Sequence, residues 1–386
     1  MRQLTTCVLL LAVTTLANAQ NINSSPSVDD ALKLAGSNRT QIQMALDQVP
    51  VSQKRGMEFL VRWMPESDLK TLSADFLLEN VRLAYEVREK TQWGKNIPEA
   101  IFLNDVLPYG NVNEPRHAWR ADFVNRFLPV VAECKTPSEA AQKLNETVFK
   151  TLNVRYSTKR QRADQSPKES MQSGLASCTG LSIILTNACR AVGVPARLVG
   201  IPKWANKRGN HTWIEVWDQE WHFTGAAEPS GQGLNHTWFQ ADAAQALPDS
   251  ELSAIYAASY KSTGRHFPLV WAPGMKSVNA VNVTHRYLPK AKANASRLMV
   301  RVWSSNPKER VAADVKLTAV GQEMQAGRSR DTSFDTNDIL AFEVAAKKQY
   351  EITVSTKTGA TVVQKVSMEN RKQVIVDVML PSISER

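Results

Sequence analysis

Ser173-Gly174-Leu175-Ala176-Ser177-Cys178-Thr179-Gly180-Leu181-Ser182-Ile183-Ile184-Leu185 is the stretch on which the reading of this chain turns. Leu181, Ile184, Leu185, Ala188 and Val192 recur at three- and four-residue spacing, which predicts a helix over 178–192 with one apolar stripe packed on a core. Gly193-Val194-Pro195 stops it. Cys178 falls in the first turn, where free backbone N–H groups and the helix dipole stabilise a thiolate. The alternative is a small structural cysteine, a description that suits Cys189, deep in the same helix, better. On a helix the two thiols stand about 16 Å apart at ~1.5 Å per residue, and a disulfide needs Cα atoms within ~7 Å. They are therefore not expected to pair.

Downstream, His211-Thr212-Trp213-Ile214-Glu215-Val216-Trp217 alternates with period two. Thr212, Ile214 and Val216 share one face of the predicted strand, and His211, Trp213, Glu215 and Trp217 the other. A histidine that opens a strand locked into a sheet is held rigidly, as a general base beside a thiol must be. The competing reading is an ordinary strand with an exposed histidine.

The loop before Cys178, the cysteine that opens a helix, Gly193-Val194-Pro195-Ala196-Arg197-Leu198-Val199, the His211 strand and the following Trp221 strand occur in one order and spacing over residues 136–240. This arrangement resembles the transglutaminase-like superfamily. The resemblance implies a papain-like α+β core, with Cys178 as nucleophile, His211 as base and an acid that orients the histidine. In the family that acid ends the strand after the tryptophan, in an Asp-Pro dipeptide, but Gly225 stands there in this chain. An acid–Pro pair follows three residues on, so Glu228 of Glu228-Pro229 is the expected third member and Asn235 the reserve. Gln172 is a candidate oxyanion donor together with the Cys178 N–H.

The rest of the chain divides around this core. Residues 1–19 read as a signal peptide, with Arg2, an apolar run from Val8 to Val13 and an Ala17-Asn18-Ala19 cleavage site. Residues 20–132 are expected to form a helical amino-terminal domain, 133–275 the catalytic domain and 290–386 a β-sandwich of short alternating strands separated by polar turns. With Cys7 removed, three cysteines remain, so at least one thiol stays outside any bridge in an exported protein.

The formal charge of +10 suits anionic surroundings such as wall polymers, but no Lys/Arg block and no nucleic-acid motif accompany it. No metal-ligand spacing and no phosphate-cradling glycine loop are present, so neither metal nor cofactor is expected. The partners expected are a protein or peptide substrate, including cell-wall peptide or glycan. Nucleic acid and, after leader cleavage, a membrane segment are not expected.

The chemistry this implies is thiol-dependent acyl transfer on amide bonds, either hydrolysis as a peptidase or amidase or transfer to an amine, in a secreted or periplasmic protein. The rival is a catalytically silent peptide- or glycan-binding module of the same fold. Amino-terminal sequencing of exported protein should find Gln20 first; Met1 retained on an exported sample would overturn the leader assignment.

Overall fold

The computed structural model describes residues 26–206, 209–289, 296–319, 325–345, 348–356, 359, 361–369 and 373–381. The leader read at residues 1–19 lies outside these residues.

The helix predicted from the apolar stripe spans Cys178–Ala191, with Ser177 as its cap: the Ser177 hydroxyl accepts from the Gly180 N–H at 3.0 Å. Behind it, Pro137–Leu152 begins on a Thr136 cap with proline in the first turn, as the sequence requires. The polar segment before Cys178 is not all loop. Ser166 and Glu169 form a capping box that starts a short helix, Pro167–Ser173.

The Cys178 helix lies on a five-stranded antiparallel sheet in the order Glu220–Thr224, His211–Asp218, Ala196–Ile201, Tyr256–Ser259, Asn279–Asn282. The alternation of the His211 strand divides the two faces. Ile214 and Val216 join Leu181, Ile184, Leu185 and Ala188 in one core, while Trp213 joins Trp204, Phe239 and Tyr287 on the opposite face. The helix-side core does not stop at the domain boundary. It runs without a break into the amino-terminal helices through Ile42, Leu60, Leu77, Phe102 and Phe123, so the helical segment and the Cys178 helix are packed as one body.

Two buried arginines tie that body together. Arg120 donates to the carbonyls of Val106, Leu107, Pro108 and Arg190 and to Asn80 Oδ1; Arg190 donates to those of Asp105, Ala196 and Gly110. Carbonyls satisfy their hydrogen bonds but not their charge, so burial pulls Arg120 down to about 9 and Arg190 to about 10. Together they fasten the turn-rich 108–115 segment against the carboxy-terminal end of the Cys178 helix.

The carboxy-terminal segment is a β-sandwich. One sheet has the order Gln325–Arg328, Asp314–Thr318, Gln349–Ser355, Thr361–Ser367; the other has Leu340–Val344, Ser296–Trp303, Gln373–Met379. Leu298, Val300, Phe342 and Val376 from one sheet meet Val315, Leu317, Ile352 and Val354 from the other. The α+β class with a β-sandwich tail is thus present, and the strands that alternation did not reveal include Tyr256–Ser259, Gln325–Arg328 and the short parallel pair Arg155–Tyr156 and Leu175–Ala176. Among the described residues no helix is long and apolar enough to cross a membrane.

Arg120→Met should destabilise the protein by about 3 kcal/mol or more, because several buried carbonyls lose their donor at once. A urea midpoint within error of the parent's would remove Arg120 from this role.

Candidate active site

Cys178 is the first residue of its helix and is partly exposed. Its position is fixed from two sides. Ser177 caps the helix and also donates its hydroxyl to the Ala163 carbonyl, which anchors the preceding loop. Thr179 and Thr212 meet hydroxyl to hydroxyl at 3.0 Å, pinning the first turn against the His211 strand. The first-turn backbone N–H groups have no helical acceptors, so this end of the helix is where an anion is best stabilised.

His211 is 1% exposed and opens its strand opposite Ile201. Its ring lies among Trp204, Trp213, Trp238 and Phe239, with centroid distances of 4.9 Å to Trp238 and 5.0 Å to Phe239. Further along the same face, Glu215 takes hydrogen bonds from Arg197, Arg286 and Tyr287, and Trp213 Nε1 donates to Tyr287. This buried network locks the strand that presents the imidazole.

The carboxylate facing His211 comes from the β-sandwich. Asp335, in the loop between Gln325–Arg328 and Leu340–Val344, places Oδ2 3.6 Å from His211 Nδ1, with the two side chains 2% and 1% exposed. That is an ion-pair distance, longer than a hydrogen bond. Burial alone would drive the imidazole neutral, but the Asp335 charge, with Cys178 beyond it, holds His211 well above its ordinary value. Burial likewise disfavours the Asp335 charge, yet the imidazolium and two hydrogen bonds from Asn337 hold the carboxyl below its ordinary value. Cys178, His211 and Asp335 bring their reactive atoms within 4.8 Å of one another. Among the described residues this is the one group of three such side chains close enough to share a cation.

Glu228, expected beside His211, lies in the second rank. Its Oε2 accepts from Trp238 Nε1 at 2.8 Å, and no hydrogen bond joins it to His211. The carboxylate does fold back over Gly225: a Cβ built on that glycine would fall 2.1 Å from Glu228 Oε2. It therefore fills the space that a side chain at position 225 would take. Burial lifts this carboxyl to about 8, against the pull of the His211 charge.

Asn235 is committed elsewhere. Its Oδ1 accepts from the Phe223 N–H at 2.9 Å and its amide meets His222 Nδ1, so it braces the edge strand. Gln172 lies exposed on the short Pro167–Ser173 helix. Cys134, Cys178 and Cys189 are all free thiols. Burial pushes Cys189 up to about 12 and, with Glu139 nearby, raises Cys134 as well.

The transglutaminase-like superfamily model matches residues 126–243, a span that holds Cys178, His211 and Glu228 but not Asp335. No curated protein matches the sequence. Among solved structures the chain is similar to red sea bream transglutaminase at 7% identity and a TM-score of 0.34, over 72% of this chain and 66% of that one. The pilus adhesin SpaC of Lactobacillus rhamnosus GG is similar at 11% identity and a TM-score of 0.17, over 50% of this chain and 29% of the adhesin. Neither likeness is strong enough to carry an argument; the family match, with a cysteine at a helix start and a histidine at a strand start in the family's order, places residues 126–243 of this chain in the transglutaminase-like superfamily.

Proposed function

We propose that this protein performs thiol acyl chemistry on amide bonds of a protein or peptide, outside the cytoplasm, with Cys178 as nucleophile and His211 as its base. The observation that carries the reading is the buried imidazole that lies within 4.8 Å of a thiol at the start of a helix and faces a buried carboxylate.

In the reaction the Cys178 thiolate attacks the amide carbonyl carbon, and the first-turn N–H groups face the oxygen that gains charge. The C–N bond breaks as the His211 imidazolium gives its proton to the departing amine, which leaves a thioester on Cys178. A second nucleophile, water or a primary amine, passes a proton to His211 and attacks the thioester, releasing acid or a new amide and restoring the thiolate. The two outcomes differ only in which nucleophile reaches the thioester. The helix start and the imidazole serve both.

Incubation with a glutamine-containing protein and a fluorescent primary amine separates the outcomes: incorporated label reports transfer, whereas ammonia or peptide fragments without label report hydrolysis. Cys178→Ala should lower either activity by at least about a hundredfold. A parent protein that binds peptide or glycan with no turnover, and binds equally well as Cys178→Ala, would instead establish the binding module.

Selective labelling gives a second expectation. Iodoacetamide at neutral pH should modify Cys178 alone, because the other two thiols are held protonated by their surroundings. A tryptic digest with the label on Cys134 or Cys189 would contradict this.

Glu228 supplies a third. Its folded carboxyl titrates near 8 against an ordinary 4.5, so the folded chain keeps a proton that the unfolded chain releases. The residue therefore costs nothing below pH 4.5 and weakens the fold increasingly as pH climbs toward 8. Glu228→Gln should raise Tm by roughly 2 °C or more at about pH 9 relative to its effect at about pH 4.5. An equal shift at both would show that folding does not raise the Glu228 carboxyl.

A further inference from the structure

We propose that Asp335, carried by the β-sandwich, is the positioning residue for His211, so that the site is completed by the carboxy-terminal domain and not within the transglutaminase-like domain itself. The inference rests on the thiol–imidazole reading above and adds the origin of the acid.

The transglutaminase-like domain supplies no charged acid of its own to His211. Gly225 has no side chain, and the space beside it is filled by Glu228, whose carboxylate is turned to Trp238 and stays protonated at neutral pH. A neutral carboxyl does not stabilise an imidazolium as a charged one does. The sandwich loop, in turn, is firmly held. Asn337 fixes Asp335 by donating from its backbone N–H at 2.8 Å and its side-chain amide at 3.2 Å. The same amide donates to the carbonyl of Asn210, the residue before His211, at 2.8 Å. The Thr336 N–H reaches the Tyr156 hydroxyl at 3.3 Å, and Tyr156 lies beside the Cys178 loop, paired with Ala176.

Inside the sandwich, Arg310, 6% exposed, donates to the carbonyls of Asp331, Phe334, Asp335 and Asp338 and so holds the whole turn. Surface loops that merely touch a neighbouring domain do not carry a buried guanidinium at their centre and a buried carboxylate at their tip. The carboxylate faces Nδ1, and one ring nitrogen of His211 lies within 4.8 Å of both the Asp335 carboxylate and the Cys178 thiol. The 3.6 Å separation needs only a small shortening to become a charge-assisted hydrogen bond, a change common when substrate closes a site.

The ionisable groups that face His211 are Cys178 from the helix, Asp335 from the sandwich and Glu228 from the loop after the Trp221 strand, with the Tyr156 hydroxyl behind Asp335 and Cys178. Remove the Asp335 charge and burial keeps the imidazole neutral, so the thiolate loses its counter-ion below neutral pH.

The test is the rate of Cys178 alkylation by iodoacetamide against pH in the full chain. Parent protein should react readily at about pH 6.5. Asp335→Asn, which keeps an oxygen acceptor and removes the charge, should lose about tenfold or more at that pH and stay within about twofold at about pH 9.5, with an unchanged circular dichroism spectrum. His211→Ala should lose at least as much, and Glu228→Gln should stay within about twofold.

Should Asp335→Asn fail to fold, Asn337→Ala, which keeps the charge but frees the carboxylate and cuts the tie to Asn210, should show a smaller loss of the same pH dependence. Low-pH reactivity lost in His211→Ala but retained in the folded Asp335→Asn or Asn337→Ala protein would overturn the proposal and leave the thiol–imidazole pair intact. If His211→Ala itself changed nothing, the functional reading would fall first.

Discussion

Where the first turn of the Cys178 helix crosses the start of the His211 strand, the hydroxyls of Thr179 and Thr212 meet at 3.0 Å in a buried contact. Below it, Leu181, Ile184, Leu185 and Ala188 share a dry core with Ile214 and Val216. Neither contact touches the reactive atoms, yet together they set the one relative placement of helix and strand at which a thiol and an imidazole converge. Close-packed interiors resist slippage, because a shift of one turn or one register step would bury polar groups without partners and expose the stripe. The amino-terminal helices serve the same constraint. They extend that core, and through Arg120 and Arg190 they fasten the far end of the Cys178 helix.

Around the imidazole, two carboxyls have been driven to opposite states by their surroundings. Asp335 has two amide donors and a cation before it, so its charge is stabilised despite burial. Glu228 has one indole donor and the Asp335 charge nearby, so burial dominates and it holds its proton at neutral pH. With both ionised, one imidazolium would face two carboxylates in a buried space. Keeping Glu228 neutral avoids that repulsion.

The legible parts of this molecule were those encoded by local period. A stripe at helical spacing gave the Cys178 helix, alternation gave the His211 strand and most of the sandwich, and the order of motifs gave the family. Asp335 was hidden for a physical reason. It sits in Asp331-Thr332-Ser333-Phe334-Asp335-Thr336-Asn337-Asp338, a run of ordinary turn formers whose burial follows only from how the sandwich docks. Reading the acid–proline pair at Glu228 found a residue that does occupy the empty place beside Gly225, but its orientation depends on Trp238, ten residues away across a turn. The shared core of the amino-terminal and central segments was invisible for the same reason: amphipathic helices announce that they bury a face, not against what.

The sandwich sheet nearest the end of the described chain has Ser296–Trp303 at its centre, paired on one side with Leu340–Val344 and on the other, in parallel, with Gln373–Met379. A central strand of this kind is not secured until its last partner has been synthesised and folded back, and non-local parallel pairing is slow. The thiol and imidazole, by contrast, lie on elements whose partners are all made before residue 290. The growing chain thus assembles the Cys178 helix and the His211 strand well before the turn that carries Asp335 can be set in place, and a half-made molecule holds a cysteine and a histidine without the buried carboxylate that faces them. The order of the chain brings the three side chains together only when the protein around them is complete.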